Sequence, residues 1–338
     1  MTDLHHFLSR LVRREDLTRV EASQLLDALL DESASDAQIA GTLVALATKG
    51  ETVDELTGLA ERLRVRATRV ACNHRCFIDT AGTGSSQSKT FNISTAAAFV
   101  IAAAGLPVAK HGNRAASSKS GSADVLTALG VNVSVLPELS ENALNEIGIC
   151  FMFAPLYHRA TARVAGIRKQ LGVHTTFNLL GPLSNPAGAP RQIVGVWRKE
   201  LVAKIASALA ALGTERAWVV HGEDGLDEIT LAGKTFVAEA ADGGVRTFEI
   251  AAEDFGLETS ELNHLRGGDP ESNASIIRSV LDGSRRDEAR SLVVMTAAAA
   301  LVVGDVAADL KEGVGFAEQA IDSGAASEKL NRLVRVTN

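Results

Sequence analysis

The chain has 338 residues, 46% hydrophobic and 22% charged, so it can bury a sizeable core in one large domain or two. Its 34 Lys and Arg stand against 41 Asp and Glu, a net charge of −7 that argues against a general nucleic-acid binder. The longest apolar run, residues 96–104, falls short of the roughly 20 residues that span a bilayer, and MTDLHHFLSRLVRRED lacks a long apolar core, so neither a membrane span nor a signal peptide is expected. The cysteines, Cys72, Cys76 and Cys150, are sparse and odd in number, and no second close pair completes a zinc set. A soluble protein of the reducing cytoplasm is expected.

The first seventy residues read as helices. Leu4, Leu8, Leu11 and Val12 recur at helical spacing. Thr18-Arg19-Val20-Glu21, Ser35-Asp36-Ala37-Gln38 and Thr52-Val53-Asp54-Glu55 are three capping boxes, each preceding an apolar stretch. Gly50 is placed to end the middle helix. The adjacent His5 and His6 do not share a helix face and suggest no metal site. The apolar faces of this small bundle have to be buried against something, which makes it a natural interaction surface.

From Arg75 apolar runs alternate with helical stretches. Candidate strands lie at 76–79, 107–110, 149–154, 193–196 and 217–221, with helices at 95–104, 123–129, 141–146 and 199–212. This alternation predicts a parallel sheet covered on both faces. A hairpin is expected around Asp242-Gly243-Gly244, and a helical tail from Pro270. Ligands bind beyond the carboxyl ends of such strands. The segments following the strands should therefore converge there.

Two of those segments carry chemistry. The first, residues 82–88, leads into Asn92-Ile93-Ser94-Thr95 and a helix. Gly82 and Gly84 allow close approach of backbone to a ligand, and the helix start at Ser94 and Thr95 attracts an anion. It is neither a Walker loop nor a dinucleotide fingerprint. The second carries Lys110, His111, Asn113, Arg114, Ser117, Ser118, Lys119, Ser120 and Ser122: three cations and four hydroxyls within thirteen residues. It donates many hydrogen bonds and accepts few, which suits a polyphosphate. Each turn alone is ordinary surface chemistry; together they favour a phosphate site. Asp227 and Glu228 form an acidic pair after a strand, and opposite such a site they suit magnesium.

KHGNRAASS at 110–118, GTG at 82–84 and TFNIST at 90–95 resemble the signature motifs of anthranilate phosphoribosyltransferases. The resemblance continues through FNLLGPLSNPA (177–187), GLDEIT (225–230) and LRGGDPESNA (265–274), and covers essentially the whole chain. It implies an α/β protein of nucleoside phosphorylase/phosphoribosyltransferase-like fold: a small N-terminal helical domain plus a larger α/β domain with a mainly parallel central sheet. The expected division is 1–72, with a returning segment near 160–190, and 73–338. The implied reaction transfers phosphoribosyl from phosphoribosyl pyrophosphate to the amine of anthranilate, releasing pyrophosphate, in tryptophan biosynthesis. A homodimer through the helical domain is implied, with no nucleic-acid or membrane partner.

Carried over position by position, the resemblance assigns Lys110 and Arg114 to catalysis. Gly82, Gly84, Ser85, Ser86, Thr90, Asn92, Ile93, Ser94, Thr95, Lys110, His111, Gly112, Asn113, Arg114, Ala115, Ala116, Ser117, Ser118 and Ser122 fall to phosphoribosyl pyrophosphate. Gly82, Asn113 and Arg168 fall to anthranilate, and Ser94, Asp227 and Glu228 to Mg2+. His111 and His158 are candidates to line the acceptor channel, with a buried structural role as the competing reading for each.

The chain departs from the family at GTGSS, where many members have GTGGD, so Ser86 stands at an aspartate position. Lys89 follows, and Arg159 replaces a frequent proline after His158. These changes bear on metal use, donor affinity and acceptor choice, not on the fold. The alternatives are a pyrimidine nucleoside phosphorylase-like enzyme and a non-catalytic nucleic-acid-binding relative.

Overall fold

The computed structural model describes residues 3–84, 90–115, 119–262 and 265–338. Four helices open the chain: α1 (Leu4–Val12), α2 (Arg19–Leu30), α3 (Asp36–Lys49) and α4 (Val53–Arg66). All three capping boxes form, Thr18 with Glu21, Ser35 with Gln38 and Thr52 with Glu55. Each satisfies two backbone donors that a helix start leaves open. Gly50 ends α3 at a φ of 82°, a region that favours glycine.

The rest of the chain builds one sheet and its covering helices. In order these are β1 (Ile78–Gly82), α5 (Ile93–Ala103), β2 (Val108–Gly112), α6 (Ser122–Ala128), α7 (Pro137–Ile147), β3 (Ile149–Phe153), α8 (Ala154–Tyr157), α9 (Ala162–Leu171), α10 (Thr176–Leu183) and β4 (Arg191–Gly195). Then come α11 (Glu200–Ala211), β5 (Arg216–Gly222), β6 (Thr235–Ala241), β7 (Gly244–Ile250), α12 (Pro270–Leu281), α13 (Glu288–Val303), α14 (Leu310–Asp322) and α15 (Ala325–Thr337). The strand order is β3-β2-β1-β4-β5-β6-β7. The first five strands in that order run parallel, and β6 and β7 add an antiparallel hairpin. Asp242 and Gly243 turn that hairpin at φ values of 52° and 73°, the paired positive values of a tight primed turn.

Alternation along the strands divides the core between the two faces. Trp218 and Val220 of β5 join α5, α12, α13 and α15 on one side. Ala217 and Val219 join α11 and the N-terminal helices on the other. Val164 and Ile167 of α9, with Leu179, Leu180 and Leu183 of α10, belong to this second cluster, so a segment from mid-chain packs into the N-terminal bundle. Thr176 donates to Glu51 at 2.5 Å, and Arg163 to Asp36 at 2.6 Å, across the same seam.

Two of the expected strand ends move in a way that bears on the site. β1 runs on through Gly82 and β2 through Gly112, because each is paired to its end: Gly82 opposite Gly195, Gly112 opposite Phe153. Lys110, expected at the end of a strand, and His111, expected beyond it, therefore both lie within β2. The FNLLGPLSNPA motif (177–187) holds most of a helix, α10. Pro182 sits in the last turn, where its missing N–H costs a single bond.

Candidate functional site

The chain order reverses direction between β1 and β4, the crevice where ligands bind in open parallel sheets. The backbone is drawn tight there. The Gly195 carbonyl accepts from Thr83 N at 2.9 Å and Thr83 Oγ1 at 3.1 Å. A Cβ on Gly195 would stand 1.8 Å from the carbonyl oxygen of Asp227, so only glycine lets the acidic loop pack against β4. A Cβ on Gly82 would lie 4.0 Å from Asp227 Oδ2. The end of β1 and the acidic pair after β5 thus meet.

Ser94, in the first turn of α5, is the meeting point of the cation and the acids. Lys110 Nζ lies 3.4 Å from Ser94 Oγ and 3.3 Å from Thr80 Oγ1, and donates also to the Thr80 carbonyl. Ser94 N donates to Glu228 Oε1 at 3.3 Å. Burial pushes the Lys110 ammonium down, while Asp79 and Glu228 pull it back up. Burial, and then the charge of Asp227, pushes the Glu228 carboxyl up to about 8. Two acids and one buried cation crowd a helix N-terminus, and the acids favour a further positive charge.

Asn92 precedes α5 but does not cap it. Its side chain instead donates to the Ser120 carbonyl at 3.2 Å and accepts from Ser120 Oγ at 3.3 Å and Asn273 Nδ2 at 3.1 Å. This joins the second loop and α12 to the helix start. Ile93 and Thr95 are buried, so of Ile93 only backbone is offered. Thr90 bridges to Arg266, and a Cβ on Gly267 would lie 2.1 Å from the Thr90 carbonyl.

The second loop is held by Asp124. It accepts from Ala115 N at 2.9 Å, Gly121 N at 3.0 Å and Arg114 Nη1 at 2.8 Å. Arg114, assigned to catalysis from the sequence, is thus occupied by Asp124 and stacks 5.7 Å above the Phe153 ring. Asn113 Oδ1 accepts from Arg114 N at 2.8 Å, and the Asn113 carbonyl accepts from Ser122 Oγ at 3.3 Å. Gly112 has no room for a side chain, since a Cβ would meet Ser122 Oγ at 2.2 Å. Ser85, Ser86, Ala116, Ser117 and Ser118, and Lys89, lie outside the described residues.

A second set surrounds α10. Arg168 of α9 donates through Nη2 to Asn178 Oδ1 at 3.0 Å, lies 5.6 Å from the Phe177 ring centroid, and leaves a buried Nε without a partner. Among the described residues no carboxylate pairs with it, and burial lowers its affinity for its proton. His111 Nδ1 lies 3.2 Å from the Gly181 carbonyl, so Nδ1 carries the proton and donates. Its Nε2 and both ring nitrogens of His158 are buried without partners, the rings 5.1 Å apart. Burial holds His111 down to about 3 and His158 to about 4, so both are neutral. Gly82 and Asn113, grouped with Arg168 from the sequence, have no direct contact with it among the described hydrogen bonds.

Sequence reasoning did not single out Asp79, Asn178, Asn185, Asp124 or Asn273. Asp79 is fully buried beneath the site, accepts from Asn185 Nδ2 at 2.7 Å and His111 N at 3.2 Å, and is pushed up to about 6 chiefly by burial. Asn178 and Asn185 do stand in the quoted FNLLGPLSNPA motif, and Asn273 in LRGGDPESNA.

The donor set suits Mg2+. Two carboxylates and a hydroxyl are hard oxygen ligands, and this ion commonly takes one or two carboxylates and completes its shell with water and substrate phosphate. Burial and then Asp227 push the Glu228 carboxyl up, and a cation beside the pair would oppose that push. Among the described residues no group of three or more His, Cys, Asp or Glu is placed to hold a metal ion by itself.

The chain is similar to known proteins over its full length. Residues 74–327 match the model described as glycosyl transferase family, a/b domain, and residues 5–67 the helical bundle domain of the same family. The anthranilate phosphoribosyltransferase of Anaeromyxobacter dehalogenans strain 2CP-C is 51% identical over 99% of this chain and 98% of its own. That of Nitrobacter hamburgensis is 48% identical over the full length of both. Among solved structures, the anthranilate phosphoribosyltransferase of Thermus thermophilus superposes with a TM-score of 0.92 at 40% identity, over 99% of each chain. That of Saccharomyces cerevisiae, in complex with PRPP and Mg, gives 0.89 at 28%, over 99% of this chain and 97% of its own.

Proposed function

This chain belongs to the anthranilate phosphoribosyltransferase family, and from that premise we propose how its residues divide the reaction. The reaction moves phosphoribosyl from phosphoribosyl pyrophosphate to the amine of anthranilate and releases pyrophosphate. An aromatic amine is already a nucleophile, so the main demand is departure of pyrophosphate from a sugar gaining positive character. Charge stabilisation and positioning meet that demand better than a strong base does.

The donor occupies the crevice beyond β1 and β2, with its phosphates against the start of α5 and the loop at 110–122. The observation that carries this reading is the position of Ser94, with the buried Lys110 ammonium at its hydroxyl and Glu228 at its N–H. Lys110 stabilises the leaving charge. Asp227, Glu228 and Ser94 would hold Mg2+, which when bound neutralises charge developing on the pyrophosphate. Arg114, fixed to Asp124, acts by orienting its loop and presenting its remaining N–H groups. Arg168 takes the anthranilate carboxylate, and the neutral His111 and His158 add no cation to compete with it.

We assign 1–72, with the segment near 160–190, to the helical domain and 73–338 to the α/β domain; the cluster shared by α1–α4, α9 and α10 supports this. A homodimer through the helical domain accords with the exposed Val12, Val20 and Val44. Among the described residues no helix is long and apolar enough to cross a membrane. Three free cysteines accord with a cytoplasmic location.

Pyrophosphate release on mixing the protein with phosphoribosyl pyrophosphate, magnesium and anthranilate tests the reading. Release that depends on anthranilate supports it. Turnover of a pyrimidine nucleoside with inorganic phosphate, and none with anthranilate, would overturn it.

A further inference from the structure

We propose that Asn178 is a positioning residue: it tethers Arg168 through a neutral oxygen and so leaves the guanidinium charge free for the carboxylate of the acceptor. The inference rests on the assignment of Arg168 to that carboxylate. Asn178 Oδ1 accepts from Arg168 Nη2 and from Thr175 N, each at 3.0 Å. Two donors occupy the two lone pairs of one amide oxygen, which fixes the orientation of the amide. The Phe177 ring, 5.6 Å from Arg168 Cζ, backs the guanidinium. α10 itself is pinned at both ends, by Thr176 donating to Glu51 at 2.5 Å and by His111 donating to the Gly181 carbonyl.

Asn178 stands in the first turn of α10, where a carboxylate is more favourable than an amide. An aspartate there would make the same two hydrogen bonds, and the one to Arg168 would become charge-assisted. Stability alone therefore favours Asp, yet the residue is neutral. The consequence is a partly buried guanidinium, with an unpartnered Nε and no carboxylate among the described residues. A cation kept in that state suits an anionic ligand.

Asn178→Asp tests this directly, because a capping role and a charge-sparing role predict different results. The variant should melt at the same temperature or higher. Its KM for anthranilate should rise about tenfold to a hundredfold, the range a charge-assisted hydrogen bond supplies. Its KM for phosphoribosyl pyrophosphate should stay within about twofold. Asn178→Ser, which drops the tether and stays neutral, should raise the anthranilate KM less. An unchanged anthranilate KM in Asn178→Asp, or a larger effect in Asn178→Ser, overturns the inference. Arg168→Gln is measured in parallel. If it leaves the anthranilate KM unchanged, the Arg168 assignment fails and the inference with it; if only Arg168→Gln raises that KM, the tether alone fails. Should Asn178→Asp not fold, stability does not favour Asp and the inference is overturned.

Discussion

The Nδ1 of His111 lies 3.2 Å from the carbonyl oxygen of Gly181, joining the end of β2, which carries Lys110, to α10, which carries the tether of Arg168. This bond between the donor-side and acceptor-side elements requires a proton on Nδ1, and burial keeps the ring neutral.

His111 and His158 have folded affinities depressed to about 3 and about 4, against about 6.5 when unfolded. Groups of this kind contribute stability that is full above pH 6.5 and is lost as pH falls toward 4. For His158 the loss amounts to roughly 3 kcal/mol, at about 1.4 kcal/mol per unit. Urea unfolding from pH 7.5 to 4 should show the decline, and His158→Gln should flatten part of it. A nitrogen-detected NMR titration in which His158 protonates near 6.5 would refute the assignment.

Lys110→Met should lower kcat about a hundredfold or more, the scale of losing one preorganised electrostatic group. KM for anthranilate should hardly move, since Lys110 lies by Thr80 and Ser94 rather than Arg168. Initial rates with both substrates varied provide the check. A large rise in the anthranilate KM at unchanged kcat would contradict the placement of Lys110 on the donor.

Gly195→Ala should be severe, because its Cβ meets the Asp227 carbonyl at 1.8 Å. Overpacking of this kind costs about 1–3 kcal/mol, and here it also displaces the acidic pair, so activity should fall further than stability. Gly166→Ala in α9 meets nothing within 4 Å and should be neutral or slightly stabilising. Thermal melts of the two variants settle the comparison; equal effects would count against the close packing of β4 on the acidic loop.

Asp124→Ala removes acceptors for Ala115 N, Gly121 N and Arg114 together. The KM for phosphoribosyl pyrophosphate should rise about tenfold or more, as expected when a loop must be ordered on binding. The KM for anthranilate should rise less, since of its assigned contacts only Asn113 lies in this loop. The opposite pattern would assign this loop to the acceptor.

Local chemistry made much of this molecule legible. The capping boxes at Thr18, Ser35 and Thr52, the hairpin at Asp242-Gly243, and the alternation from residue 75 are short-range signals, and each corresponds to an element. The convergence of Gly82, Lys110, Ser94 and Glu228 followed from the rule that parallel strands present their carboxyl ends to ligands. Asn185 was not legible because its partner is set by tertiary approach, whereas Asn178 and Asp124 bond within ten residues in loop geometries that carry no sequence pattern. Asn185 reaches Asp79 across 106 residues, and Thr176 reaches Glu51 across 125. Strand ends at Gly82 and Gly112 were missed for the same reason: pairing, not propensity, carries a strand through glycine.

The most direct test is loss of anthranilate fluorescence with phosphoribosyl pyrophosphate and magnesium, followed for the wild type and for Arg168→Ala. The account predicts steady consumption by the wild type. In Arg168→Ala it predicts an anthranilate KM raised about tenfold or more, with the KM for phosphoribosyl pyrophosphate unchanged. Equal rates for the two proteins across anthranilate concentrations, or no consumption by folded wild type, would contradict it.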